Sequence, residues 1–230
     1  MDTEIRVATT IHSHCERTET LKGTLGHLKN NFGLTPFVSI QDSPPDPARN
    51  RLNARDALAM ARPWPAGGVL MLEDDVRLDP DIGNWIALAI GSERPTFLYS
   101  AYSRNHPDWF SAAHNRNPQN MPHFARGLYR LERAPEVWGA QAVYLPKMIL
   151  SMMWNDPRLH STEMDGSPID GFFRRFFVSI PKRYLPLLAL PNPVEHLSPP
   201  AVLNKRRAAH TSLSRRYIHL ATGEGIAING

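Results

Sequence analysis

A single cysteine, Cys15, stands among 230 residues. One thiol excludes an internal disulfide and any cysteine-based zinc cluster. Long apolar runs are missing too. None approaches the roughly 18 residues that a membrane-spanning helix requires, and the start, Met1-Asp2-Thr3-Glu4-Ile5-Arg6, has no signal-peptide core. The expectation is a soluble, cytoplasmic protein without a membrane span. Lysine is scarce: five of the 26 basic residues are Lys (22, 29, 147, 182 and 205), which leaves 21 Arg. Arginine suits bidentate phosphate recognition, although a GC-rich genome produces the same bias. There is no internal repeat. The segment Thr9-Thr10-Ile11-His12-Ser13-His14 also lacks the glycines of a phosphate-cradling loop.

What is present supports one domain, or one domain with a C-terminal extension. A hydrophobic fraction of 42% is enough for a proper core. The net charge of +4 is uneven. Residues 170–230 carry nine Lys/Arg and three acids, a net of +6, so residues 1–169 carry −2. A basic C-terminal region beside an acidic site points to an anionic ligand, a diphosphate or a nucleic acid.

The pattern of elements is β-α-β-α-β. Ile5 to Thr10 reads as a first strand, and Leu21, Leu25, Leu28 and Phe32 form one helical stripe. Pro36 to Ile40 is a second strand, and Asn50 to Ala61 a second helix stopped by Pro63 and Pro65. The third strand, Val69 to Leu72, is continuously apolar, as a strand buried on both faces should be. This order predicts an α/β fold with a mostly parallel sheet flanked by helices. Further on, Asp79 and Pro80 read as N-cap and N1 of a helix carrying Ile82, Trp85, Ile86, Ala89 and Ile90. Thr96 to Ser100 and Val137 to Leu145 read as strands, and a helix follows Pro146. Ser167 reads as the cap of a helix whose buried face is Phe172, Phe173, Phe176 and Phe177, and Tyr184 to Leu190 as a final strand. Residues 103–136 are polar and irregular, long enough for a functional loop. The segment 199–230 is basic and weakly patterned, a flap or tail of the same domain.

The third strand runs straight into Glu73-Asp74-Asp75. Three adjacent carboxylates repel one another, so a positive charge should sit among them. Mg²⁺ or Mn²⁺ suits such a place, because hard cations take oxygen ligands and bridge carboxylates to substrate phosphates. Ligands of open α/β sheets bind at the carboxyl ends of strands.

At this point the chain resembles nucleotide-sugar glycosyltransferases of the GT-A (Rossmann-like) fold. Four pieces occur in order across residues 5–198: a strand-loop-helix start with Arg17 in the loop, a hydrophobic strand ending in a DXD-type Glu73-Asp74-Asp75, the segment Trp138-Gly139-Ala140 leading by a strand to a helix, and a late His196 after a strand. Leu72-Glu73-Asp74-Asp75-Val76 is similar to the LEDDV of lipopolysaccharide glycosyltransferases of family 25. The resemblance implies a catalytic domain over 1–198 and a nucleotide-sugar donor, most often a UDP-sugar. It implies Mn²⁺ or Mg²⁺ on Asp75, with Glu73 or Asp74 contacting ribose or metal-bound water and His196 as a second ligand. It also implies nucleotide contacts from Thr10, Arg17, Asp42 and Arg55, and closure over the diphosphate by Lys205 and Arg206. An inverting enzyme needs a base for the acceptor hydroxyl. Asp170 is the candidate and Asp165 the second; a retaining enzyme needs neither. Asp170 in a first helical turn is also expected to have a lowered pKa.

For the acceptor, Tyr102, Arg104, Trp109 and Trp138 are possible platforms. A glycan fits the family 25 likeness. A hydroxymethylated base in DNA fits the basic C-terminal region, as in phage DNA-modifying glycosyltransferases, which would act in the host cytoplasm. A sugar-nucleotide nucleotidyltransferase and a non-catalytic nucleic-acid-binding protein are the alternatives. The first lacks its glycine-rich loop here, and the second leaves the carboxylates unexplained. His12, His14 and Cys15 have no further suitably spaced partners for a transition metal.

Overall fold

The computed structural model describes residues 7–44, 46–99, 126–131, 141–162, 167–190, 192–197, 215–219, 221–222 and 225–228. The first strand, β1 (Ala8–His14), is followed by a 3-10 turn (Cys15–Arg17) and α1 (Thr18–Phe32). β2 (Phe37–Gln41), α2 (Pro47–Met60) and β3 (Val69–Glu73) complete the predicted β-α-β-α-β start. β2 and β3 both pair parallel with β1, which requires the two crossover helices.

These helices cover opposite faces. Leu21 and Leu28 of α1 pack with Ile11, Leu70 and Leu72, whereas Ala54 and Leu58 of α2 pack with Val69 and Met71. Successive β3 side chains therefore enter different cores, which is why this strand has no polar alternation. Gly68, with φ +82, turns the chain into β3 where a Cβ would lie 2.5 Å from the Leu145 carbonyl oxygen. Only glycine fits both the backbone angle and the contact.

After the carboxylates come β4 (Val76–Leu78), α3 (Ile82–Ser92) and β5 (Thr96–Phe97). α3 starts later than Asp79 and Pro80 predict. The reason is β4: its pairing with a later strand keeps the chain extended through the bond from Asp79 N to the Pro193 carbonyl, 2.9 Å. Asp79 instead accepts a hydrogen bond from the Asp81 amide at 2.8 Å. β6 (Gly127–Leu131), β7 (Ala142–Leu145), α4 (Lys147–Trp154), the single turn α5 (Pro157–His160) and α6 (Ile169–Ser179) follow. The last strands are β8 (Leu187–Leu190), β9 (Val194–His196), β10 (Arg215–His219) and β11 (Gly225–Ile228).

The main sheet has the order β11-β10-β6-β8-β5-β7-β3-β1-β2, and β4 pairs with β9 in a separate ribbon. The pairing directions run β2, β1, β3, β5, β8 and β10 one way and β7, β6 and β11 the other. The predicted α/β class, mostly parallel in strand direction with helices on both faces, is what the chain forms. α1 and α3 cover one face; α2, α4, α5 and α6 cover the other. The phenylalanines of α6 are all buried, with Phe172 stacked on Phe176 and Phe173 on Phe177. Within the C-terminal segment, β10 and β11 extend the same sheet through β6, so β8 is not the final strand. Among the described residues no helix is long and apolar enough to cross a membrane.

Candidate active site

The carboxyl ends of β1 and β3 lie side by side, with His12 opposite Glu73 in register. The side chains that converge there come from four elements: β1, the 3-10 turn, the end of β3 and the start of α6. Asp74 and Asp75 are nearly inaccessible, at 1% and 3% exposure. Burying two adjacent carboxylates demands compensation, and Arg17 supplies it. Its Nη1 lies 3.0 Å from Asp74 Oδ1, and its Nη2 pairs with Asp75 Oδ2. Burial works against the guanidinium charge, but Asp75 and Asp74 outweigh it and hold the Arg17 pKa above its ordinary value.

The two aspartates are held differently. Asp74 also accepts a hydrogen bond from the Ser13 hydroxyl, and its backbone carbonyl accepts from Thr24 Oγ1 of α1 at 2.6 Å. Ser13 is itself fixed from the other side, where Asn53 of α2 donates to its carbonyl at 2.6 Å. Burial raises the Asp74 pKa, while Ser13 and Arg17 oppose the rise. The carbonyl of Asp75 accepts from Leu197 N at 2.8 Å, which ties the site to the end of β9. In that ribbon His196 pairs with Val76, the residue after Asp75. The predicted His196 is thus next to the carboxylates along the backbone, and its side chain lies outside the described residues.

Glu73 faces the other way, toward His12, whose Nε2 is 3.9 Å from Glu73 Oε1. Burial, then the charges of Asp75, Asp170 and Asp74, push the Glu73 pKa well up. His12 is 3% exposed, and burial lowers its pKa to about 4 against the pull of Asp75, so the imidazole is neutral at pH 7.

Asp170 sits in the first turn of α6 and acts on Glu73 through its charge. Its Oδ1 accepts from the Gly171 amide at 2.9 Å. The predicted lowering of its pKa is overturned: burial raises it, with the backbone hydrogen bonds opposing. A short exposed helix terminus stabilises a carboxylate, but removing the carboxylate from water costs more here. Among the described residues, four carboxylates therefore stand near one another with the Arg17 guanidinium on two of them.

The other predicted positions divide. Thr10 is buried within β1, paired with Phe37 and Met71, four residues before the strand's end. Asp42 is exposed beyond the edge strand β2. Arg55 of α2 binds its neighbour Asp56 through Nε and Nη2, at 2.8 and 2.6 Å. None of the three is tied by these contacts to the carboxylate cluster. Asp165, Tyr102, Arg104, Trp109, Trp138, Lys205 and Arg206 lie outside the described residues. Sequence reasoning missed Ser13, Thr24 and Asn53, small polar residues whose role depends on elements far apart in the chain. His12 carries a signal in the sequence, a polar residue inside an apolar strand.

Comparison with known proteins adds little to this geometry. No protein-family model and no curated protein matches the chain. Among solved structures, it is similar to the crystal structure of a glycosyltransferase involved in the glycosylation of the major capsid of PBCV-1. That match has 15% sequence identity and a TM-score of 0.43, and covers 78% of this chain and 81% of that one. A likeness of this size carries no argument about activity, which has to rest on the site itself.

Proposed function

We propose that this chain is a glycosyltransferase that moves a sugar from a nucleotide-sugar donor to a hydroxyl acceptor. The observation that carries the reading is the meeting, among the described residues, of Asp74 and Asp75 on the guanidinium of Arg17 at the carboxyl ends of β1 and β3, with Glu73 beside them and Asp170 acting on Glu73. That edge is where an α/β sheet presents ligands. A cluster so negative repels a bare diphosphate and attracts a cation.

The donor set of hard carboxylate oxygens fits Mn²⁺ or Mg²⁺. Among the described residues no group of three or more His, Cys, Asp or Glu is arranged to hold an ion. That agrees with the habit of Mg²⁺, which uses one or two carboxylates, waters and substrate phosphates rather than a protein cage. Asp75 would hold the ion, with His196 following it in the adjoining strand. When bound, the ion neutralises charge on the leaving diphosphate.

Within this reading the protein's own groups have separate tasks. Asp74, fixed by Ser13 and Thr24, keeps the end of β3 in place. Arg17 is within the cluster and can bind a phosphate bidentately. Asp170 takes the acceptor's hydroxyl proton as that oxygen bonds to the anomeric carbon and the bond to the diphosphate breaks. Its raised pKa makes it a stronger base than a solvated aspartate. A UDP-sugar is the donor the LEDDV resemblance favours. Two acceptor classes fit, a glycan and a hydroxymethylated base in DNA.

The test is thermal shift and donor hydrolysis with Mn²⁺ and a panel of UDP- and GDP-sugars. Stabilisation by one donor supports the reading, and no binding of any donor, with or without metal, overturns it. Mass spectrometry of hydroxymethylcytosine DNA and of glycan acceptors after reaction then identifies the acceptor.

A further inference from the structure

We infer that His12 and Gln141 form the subsite that holds the transferred sugar, and that this sugar is uncharged. The inference rests on the glycosyltransferase reading and adds three things to it: where the sugar lies, which side chains read its hydroxyls, and which donors are refused.

The fold buries polar groups here that it leaves unused. Among the described residues, Thr10 Oγ1, both ring nitrogens of His12 and Gln141 Oε1 are shut off from water without a hydrogen-bond partner. Folded proteins seldom leave such groups unpaired, and each one calls for an explanation. His12 Nε2 is 3.9 Å from Glu73 Oε1, too long for a hydrogen bond. The Leu72 backbone is the weakest of the influences on the ring's pKa, short of a formed hydrogen bond.

The pairing register gathers these groups. Val69 and Met71 of β3 face the core on the α2 side, and Glu73 is next on that face. On β1, Thr10 is opposite Met71 and His12 is opposite Glu73. On the other flank, Val143 of β7 is opposite Met71. The Gln141 carbonyl accepts from Glu73 N at 2.9 Å, which continues that register by one pair. His12, Glu73 and Gln141 therefore form a row across β1, β3 and β7, with Thr10 one pair further in. Asp170, in the first turn of α6, acts on Glu73 through its charge, so the row and the proposed base lie on the same side of the sheet.

The chemistry of the row fits hydroxyl groups. An amide oxygen accepts, and an imidazole offers a donor and an acceptor. A sugar hydroxyl does both, and can satisfy either side chain. A phosphate, which only accepts, is better served by Arg17, and a hard divalent ion by the aspartate oxygens. A carboxylate on the sugar would join a crowd of carboxyls. The charges of Asp75, Asp170 and Asp74 already push the Glu73 pKa well up, despite Arg17. A further anion beside them is unfavourable, so uronic acid donors are refused.

Isothermal titration calorimetry on the full chain with Mn²⁺ tests this, using UDP-glucose, UDP-galactose, UDP-glucuronate and UDP. GDP-mannose, GDP-mannuronate and GDP are run alongside and read in the same way. Wild type should bind a hexose donor about tenfold more tightly than the matching uronate. Gln141→Leu and His12→Phe should each lose about tenfold in affinity for that hexose donor, while the nucleotide alone binds within about twofold of wild type. Unchanged nucleotide binding reports an intact fold. Gln141 is half-buried at the edge of the row, so Gln141→Leu decides the matter if His12→Phe does not fold. If the variants keep the wild-type ratio of hexose-donor to nucleotide affinity, or if the uronate binds as tightly as the hexose donor, the subsite is overturned and the glycosyltransferase reading stands. If no nucleotide or nucleotide sugar binds, both fall.

Discussion

Arg51, within α2, donates from its guanidinium to the backbone carbonyl of Ser167, immediately ahead of α6. Its other terminal nitrogen donates to the Ser161 carbonyl at 2.6 Å, and the side chain is 1% exposed. One buried cation therefore holds both sides of the segment 162–166. The preceding residue, Asn50, accepts from the Ile169 amide at 3.2 Å, satisfying a donor at the α6 start that Ser167 was expected to cap. The position of Asp170 is thus set from α2.

Arg51→Ala should cost about 2–4 kcal/mol of stability, since it empties a buried site and removes a charged hydrogen bond to each of two carbonyls. Urea denaturation measures this. A loss under about 0.5 kcal/mol would mean that the segment is held by other contacts.

Asp74 and Asp75 should separate by phenotype. Asp74→Ala removes the partner of Ser13 and one partner of Arg17, and should destabilise by about 2–4 kcal/mol. Asp75→Ala leaves Asp74 to hold Arg17, so the fold should survive while Mn²⁺-dependent nucleotide binding falls at least tenfold. Denaturation and calorimetric titration on the two variants give the comparison. Unchanged nucleotide binding in Asp75→Ala would remove that residue from the site.

Asp170→Asn should leave donor affinity intact and cut transfer by about 10²–10⁴-fold, the usual contribution of a positioned base. Wild-type transfer should rise with pH through the raised Asp170 pKa, because only the carboxylate accepts a proton. Stability runs the opposite way. A carboxyl whose folded pKa lies above its unfolded value of 3.8 binds more protons when folded. Its contribution is fully present below 3.8 and is lost as pH rises through the folded pKa. The stability of Asp170→Asn relative to wild type should therefore improve from acid to neutral pH. A difference independent of pH would contradict the raised pKa of this carboxyl.

Gly68→Ala should destabilise by about 2–4 kcal/mol, combining a left-handed backbone with a clash against the Leu145 carbonyl. Thermal denaturation will show it. A neutral effect would mean that β7 can shift away from β3.

The sequence by itself determined the α/β class, the β-α-β-α-β start and the carboxylate cluster at the end of β3. Each is a local property: a helical stripe such as Leu21 to Phe32, the all-apolar Val69 to Leu72, three adjacent acids. The phenylalanine face of α6 was legible for the same reason, because period 3.6 survives whatever the helix packs against. Only the tertiary structure decided which charge meets which. Arg17 is 58 residues from Asp75, and Arg51 is 116 from Ser167. No pattern in either segment specifies such a partner. The late start of α3 and the strands β10 and β11 likewise follow from pairing with distant strands. The Asp170 pKa shows the physical reason most plainly. Its place in a helix is a sequence property and would lower the pKa. Its burial beside Glu73 is a property of the assembled fold, and desolvation outweighs the helix end.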